Sequence, residues 1–127
     1  MAKKWIAILA SAASLWASAG RADDQDTGSD VRCLLVSMNM TQLQNPSLQA
    51  AGMMSVMYWM GRLDGRTPDL DLEDRLIAEL KAMNPEEFQA TAQRCGAALQ
   101  MRGKAMSDMG ADMRKKGVEM QQQENTH

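Results

Sequence analysis

The sequence contains very few of the residues on which most catalytic and metal sites depend. Of its 127 residues one is a histidine, His127, and the aromatic residues are one Phe, one Tyr and three Trp. Without an internal histidine, Ser-His-Asp and Cys-His nucleophile systems are excluded, as are His-rich metal sites. No glycine-rich loop of the phosphate-binding type is present. We therefore predict a protein that is not an enzyme and that needs no cofactor.

Long apolar runs are also absent, since no stretch reaches the roughly 18 consecutive apolar residues of a membrane span. A shorter run, residues 5–15, follows Lys3 and Lys4 and precedes small residues up to Ala19 and Ala22. A positive start, an apolar segment and a small-residue cleavage site are typical of an export signal. The sequence predicts a signal peptide over residues 1–22, cut after Ala19 or Ala22, and a periplasmic or secreted protein.

The charge that remains after such a cut is acidic. Removing residues 1–22 takes away three of the 14 basic residues and none of the 16 acidic ones. Nucleic-acid binding and polybasic membrane attachment both need a concentrated basic surface, so we expect neither. In strong acid every carboxylate is neutral, and the resulting positive charge favours opening of the fold by self-repulsion.

Cysteine is scarce, with Cys33 and Cys95 as the two copies in the chain. In an oxidising compartment an even pair in a small domain is most simply a disulfide. Closing so long a loop stabilises a fold by about 4 kcal/mol in the chain-entropy model. The alternative is a redox or metal-binding thiol pair, although the sequence has no CxxC motif.

Helical spacing dominates the rest of the chain and no useful β-alternation occurs. We predict an all-α fold: a small orthogonal or bundled domain of about four helices over residues 31–100, stapled by one disulfide. Residues 23–30 read as a flexible acidic lead-in, with Ser29 or Asp30 capping the first helix. Residues 101–127 read as a Met- and Gly-rich amphipathic extension with a polar tail, whose helix should weaken beyond about Arg102 because of its glycines.

Asn-Pro pairs predict two of the helix starts. Asn45-Pro46 opens the second helix, which we expect to run to about Leu63 with Gly65 as its C′ residue. A third helix carries an apolar stripe from Leu72 onwards, and Asn84-Pro85 opens the fourth with the signature of a capping box.

The second helix is apolar on nearly every side over residues 50–60. Such a helix is either central in a bundle or carries a surface for a partner. Methionine suits promiscuous protein contacts because it is flexible and polarizable, but it also packs in cores. The candidate surface for a protein partner or client consists of Val56, Met57, Tyr58, Trp59 and Met60.

The whole layout resembles the HdeA/HdeB-type periplasmic acid-stress chaperones over about residues 31–99. The resemblance rests on Val31-Arg32-Cys33-Leu34-Leu35, on Val56-Met57-Tyr58-Trp59-Met60-Gly61, and on a second cysteine in a helix entered through Asn84-Pro85. It implies an ATP-independent holdase of a Gram-negative periplasm, a homodimer at neutral pH that opens in acid to cover unfolding clients. It also implies a Cys33–Cys95 disulfide and a buried surface that opening releases, formed by Val56, Tyr58, Trp59 and Met60.

A second methionine group gives two alternative hypotheses. Met106, Met109 and Met113 lie on one predicted helix face, and thioether sulfur is a ligand for Cu(I). Under the first hypothesis, the chain is a Met-dependent Cu(I)-binding protein of the periplasm and not a chaperone. A third alternative is an interaction module for one specific protein partner.

Overall fold

A computed structural model describes the backbone of residues 16–126 and the side chains of residues 24–126. Four α-helices follow one another: α1 (Trp16–Met40), α2 (Pro46–Arg66), α3 (Leu72–Ala82) and α4 (Pro85–Glu124), and the described residues form no strand. The all-α prediction is confirmed. Within the described part of the chain, no helix is long and apolar enough to cross a membrane.

Local capping sets the starts of α2 and α4. The side chain of Asn45 accepts hydrogen bonds from the backbone N–H groups of Ser47 and Leu48, and Pro46 occupies the first helical position. At α4 the backbone N–H of Glu87 donates to the Asn84 side chain, while the Asn84 N–H donates to the Glu87 carboxylate, both at 2.9 Å. Each cap satisfies backbone donors that a helix start leaves without intrahelical partners, and the pair at α4 is a capping box.

The chain divides into two units, of which the first ends at Ala82 and the second begins at Met83. In the first unit α1 packs against both α2 and α3. Its buried apolar side chains come from two helices: Val31, Cys33, Leu34 and Val36 of α1, and Trp59 and Leu63 of α2. Between these helices the buried hydroxyls of Ser37 and Ser55 are hydrogen-bonded to each other, so neither polar group is left unsatisfied.

Gly52 allows α2 to pass close to the end of α1. A Cβ at this position would lie 2.9 Å from the Met40 Cβ and 2.9 Å from the Thr41 backbone nitrogen. Because one of these atoms belongs to the backbone, a larger residue could be accommodated only by moving the two segments apart.

The start of α1 differs from the prediction of a flexible lead-in over residues 23–30. These residues lie inside α1, and Thr27 and Asp30 are buried. Asp30 is therefore not a helix cap; its carboxylate accepts hydrogen bonds from two arginines of α2. The prediction rested on the local acidic composition of residues 23–30. It could not include the contacts of Asp24 and Asp30 with arginines that lie far away in the sequence. The signal-peptide prediction falls largely outside the described residues.

The end of α2 also differs, because Gly65 is helical and the helix continues to Arg66. Thr67 follows as the C-cap, and its N–H donates to the Leu63 carbonyl. An ordinary i→i−4 bond thus replaces the expected glycine cap.

In the second unit α4 is one uninterrupted helix of 40 residues, although a weakening beyond Arg102 was expected. An exposed ion pair between Lys104 and Asp108 spans one turn of this stretch at 2.7 Å. The buried residues of α4 are Thr91 and Cys95. Cys33 and Cys95 form a disulfide, as predicted, and the chain has no free cysteine.

Gly52→Ala should destabilise the protein by about 2 kcal/mol, because the added methyl overpacks a contact that contains backbone. Urea denaturation measures the change. Gly61→Ala is the matched control within α2, since a Cβ there meets nothing within 4 Å. This control should gain stability by up to about 1 kcal/mol from helix propensity. Equal effects in the two variants would contradict the close approach at Gly52.

Candidate binding surface on helix α2

Helix α2 has one buried face and one exposed face of unusual composition. The buried face repeats at helical spacing through Gly52, Ser55, Trp59 and Leu63. The other side carries three methionines whose exposed fractions are 59% at Met53, 74% at Met54 and 74% at Met57. We call these three residues the α2 methionine face.

The surface predicted from sequence is divided between these two sides. Of its five residues, Met57 is exposed, while Val56, Tyr58 and Met60 are half-buried. Trp59 is only 3% exposed and belongs to the core. The prediction therefore included a core residue, and it omitted Met53 and Met54, which the structure places beside Met57 on the exposed side.

The α2 methionine face lies on a helix segment without charge. From Pro46 to Gly61 the chain has no acidic or basic residue. Three unbranched thioether side chains on such a segment can adapt to partner surfaces of different shape. Exposed apolar side chains clustered in this way are typical of interaction surfaces.

Behind this face an arginine and two aromatic rings form a compact group. The Tyr58 and Trp59 rings meet edge to face, with centroids 4.8 Å apart at 78°. The Arg62 guanidinium lies 5.4 Å from the Trp59 centroid and 5.8 Å from that of Tyr58, within cation–π range. The Trp59 indole N–H is buried and has no hydrogen-bond partner among the described residues, so the burial of this N–H group lowers the stability of the fold.

One carboxylate of α1 holds this group in place. Asp30 Oδ2 accepts from Arg62 Nε at 3.0 Å and from Arg66 Nη1 at 3.2 Å, and the Asp30 side chain is only 5% exposed. The hydrogen bond from Arg62 to Asp30, followed by its contact with Tyr58, raises the pKa of Arg62 above the ordinary arginine value. Burial opposes this shift more weakly.

A second set of ion pairs joins α1 to α3. Arg32 Nε lies 2.7 Å from Glu79 Oε2, and Arg75 Nε lies 3.1 Å from the other oxygen of the same carboxylate. Arg75 also donates to Asp24 at 2.9 Å. The pKa of Arg75 is raised, mainly by its hydrogen bond to Asp24. At the α1–α2 contact and at the α1–α3 contact, one carboxylate thus lies between two arginine guanidinium groups.

These shifts determine the sign of the pH dependence. A raised arginine pKa contributes stability at every pH below the ordinary arginine value, and this stability is lost only as the pH rises through the folded value. The arginines themselves therefore give no acid sensitivity.

The methionines of the copper hypothesis lie on α4. Met106, Met109 and Met113 are exposed by 71%, 61% and 67%. The outer two are about 10.5 Å apart along the helix axis, since a helix rises 1.5 Å per residue. Helical side chains lean towards the N-terminus, which does not bring three sulfurs of one helix around a single ion. Among the described residues no group of three His, Cys, Asp or Glu is arranged to hold a metal ion.

One feature of the site, the pairing of Asp30 with two arginines, escaped the sequence analysis. Asp30 looked like a capping residue because it follows other small polar residues, and nothing local reveals its partners. A signal did exist on α2, where Arg62 and Arg66 are one turn apart and flank the buried Leu63. Two arginines at that spacing beside a core position indicate a carboxylate on the facing helix.

Comparison of the chain with protein-family models, with curated proteins and with solved structures finds no match.

Asp30→Asn should lower the free energy of unfolding by about 2 kcal/mol near neutral pH, because two guanidinium groups lose their shared carboxylate. In strong acid the difference from wild type should shrink towards zero, since the native carboxylate is then protonated as well. Urea denaturation at both pH values measures this.

The control for this prediction is Asp108→Asn. Asp108 pairs with Lys104 on the exposed surface of α4, where both side chains are more than half exposed. Removal of such a pair should cost no more than about 0.5 kcal/mol. A loss at Asp30 that is as small as this, or that persists unchanged in acid, would contradict the assigned role.

Proposed function

We propose that this protein is an exported, non-enzymatic polypeptide-binding protein of the holdase type, active in acid stress. The observation that carries the proposal is the α2 methionine face. Met53, Met54 and Met57 are exposed although the same helix buries Trp59 and Leu63. An exposed apolar face of this kind lowers the solubility of a protein, and a role in protein binding explains why the face is present.

Methionine also matches the proposed partner, an unfolding polypeptide without a fixed shape. A rigid pocket recognises one surface, whereas unbranched side chains with three rotatable bonds repack around many. The absence of charge between Pro46 and Gly61 means that no ionic contact selects one particular client over another.

The Asp30 contacts supply the acid response. Arg62 and Arg66 share one oxygen of Asp30, so loss of these ion pairs leaves two guanidinium groups that repel each other across the α1–α2 contact. The pairs of Arg32 with Glu79 and of Arg75 with Asp24 join α1 to α3 in a similar way. Separation of α1 from α2 would add Trp59 to the client surface and would hydrate its unpaired indole N–H.

The disulfide suits both the compartment and the mechanism. A Cys33–Cys95 bond persists outside the cytoplasm, which is consistent with the export signal proposed for residues 1–22. It also keeps α1 and α4 covalently joined when noncovalent contacts of α1 are lost. Such a chain can open without unfolding completely and can close again when the pH rises.

The test is suppression of aggregation of an unrelated client protein, followed by light scattering near pH 3 and at neutral pH. The oxidised wild-type protein should suppress aggregation at low molar excess in acid, and more weakly at neutral pH. Met54→Gln/Met57→Gln should lose at least about half of this suppression, because Gln keeps the length of the side chain but is polar.

Met101→Gln/Leu80→Gln is the matched control, since both residues are exposed and lie off the α2 methionine face. This variant should behave as wild type. No suppression by the wild-type protein at several-fold molar excess would contradict the holdase proposal. An equal loss in the two variants would contradict the assignment to α2.

A further inference from the structure

Helix α4 carries a seam with a strict seven-residue repeat, which is half-buried at Gly96 and Leu99. Two series of residues, offset by three positions, run along one side of the helix through four consecutive heptads. The small series is Gly96, Gly103, Gly110 and Gly117, and the large series is Leu99, Met106, Met113 and Met120. We call these eight residues the α4 seam. All three of its methionines are exposed.

Nothing within the described chain explains the glycines of this seam. A Cβ built at any of the four positions meets no atom within 4 Å. Glycine weakens a helix relative to alanine, so four of them in one helix are unfavourable unless something else approaches the helix backbone. The spacing indicates what approaches, because an apolar repeat of 3.5 residues is the pattern of a seam between two supercoiled helices.

The seam is complementary to itself when one copy is reversed. In an antiparallel pair each small position faces a large position of the other helix, and the register that overlaps all four heptads is unique. Its layers join Gly96 to Met120, Leu99 to Gly117, Gly103 to Met113 and Met106 to Gly110 of the second copy. A parallel pair would instead place glycine against glycine and leave voids between the methionine layers.

We propose that α4 associates with α4 of a second copy of this chain, antiparallel and through the α4 seam. The same patch serves both copies, as in a two-fold symmetric interface. Each large residue fills the space above a glycine of the other helix, so each of the eight layers pairs one large residue with one glycine and packs without voids. This association does not involve the α2 methionine face and stands independently of the proposed function.

The flanks of the seam provide a test of the antiparallel register. In this register Arg102 lies beside Lys116 of the second copy, twice by symmetry, and Met109 lies beside Met109. The two like-charge pairs weaken the association, and reversal of one partner converts both into salt bridges. In a parallel pair Lys116 would face the neutral Gln121.

The experiment is sedimentation equilibrium on the protein as exported by an expression host, with its disulfide intact. We expect a reversible monomer–dimer equilibrium. Lys116→Glu should tighten the dimer about tenfold, because two exposed pairs change from repulsion to attraction. Lys115→Glu is the matched control: it makes the same charge change on the opposite side of α4 and should leave the dissociation constant within about twofold.

Two further variants complete the test. Arg102→Glu/Lys116→Glu restores a like-charge pair and should return the dissociation constant to near the wild-type value. Met106→Gln/Met113→Gln should weaken the dimer at least tenfold while the helix content by circular dichroism stays unchanged. The proposal is overturned by a protein that stays monomeric up to about 1 mM, by a dimer insensitive to the methionine changes, or by equal effects of the two lysine variants.

Discussion

The fold of the first unit depends on one shared carboxylate oxygen. Asp30 Oδ2 accepts from both Arg62 and Arg66, and this contact fastens α1 to α2 where the helices bury Trp59 and Leu63. Once Arg62 is held there, its guanidinium covers the Trp59 ring on the inner side of α2. The α2 methionine face is thereby left on the other side, exposed to solvent. Helix α2 therefore has its arginine–carboxylate pairs on the side that faces α1 and its apolar methionines on the side that faces solvent.

This arrangement links acidity to the proposed binding activity in a definite direction. A carboxylate between two cations is stabilising only while it is ionised, whereas an arginine with a raised pKa stays charged throughout the acid range. In the proposed response, loss of the Asp30 pairs leaves two like charges at one buried point, and no histidine of the described part of the chain takes part. The Cys33–Cys95 disulfide would then limit how far the chain opens.

Helices α2 and α4 both expose methionine, but their patterns differ. On α2 the exposed methionines are clustered and lack a long repeat, which suits clients of variable shape. On α4 they recur every seven residues with glycines between them, which suits one partner of fixed geometry. The same residue type therefore suits two kinds of proposed contact, which differ in the spacing of the methionines and in the presence of glycines.

The sequence predicted those features that neighbouring residues decide. Asn45 and Asn84 cap their helices as expected because a cap needs only residues within one turn. Residues 23–30 are helical, and Asp24 and Asp30 pair with arginines more than 30 positions away, which no local pattern reveals. The sequence did not separate the buried Trp59 from the exposed Met57, because an all-apolar helix does not reveal which side faces the core.

The most direct measurement of the central claim is an acid titration that follows Trp59 fluorescence on the oxidised protein. Trp5 and Trp16 lie within the predicted signal peptide, so Trp59 is the sole tryptophan of a chain that has lost it. The account predicts a reversible red shift in acid as Trp59 enters water, and Asp30→Asn should already show part of this shift at neutral pH. An emission spectrum that stays unchanged down to about pH 2 would contradict it.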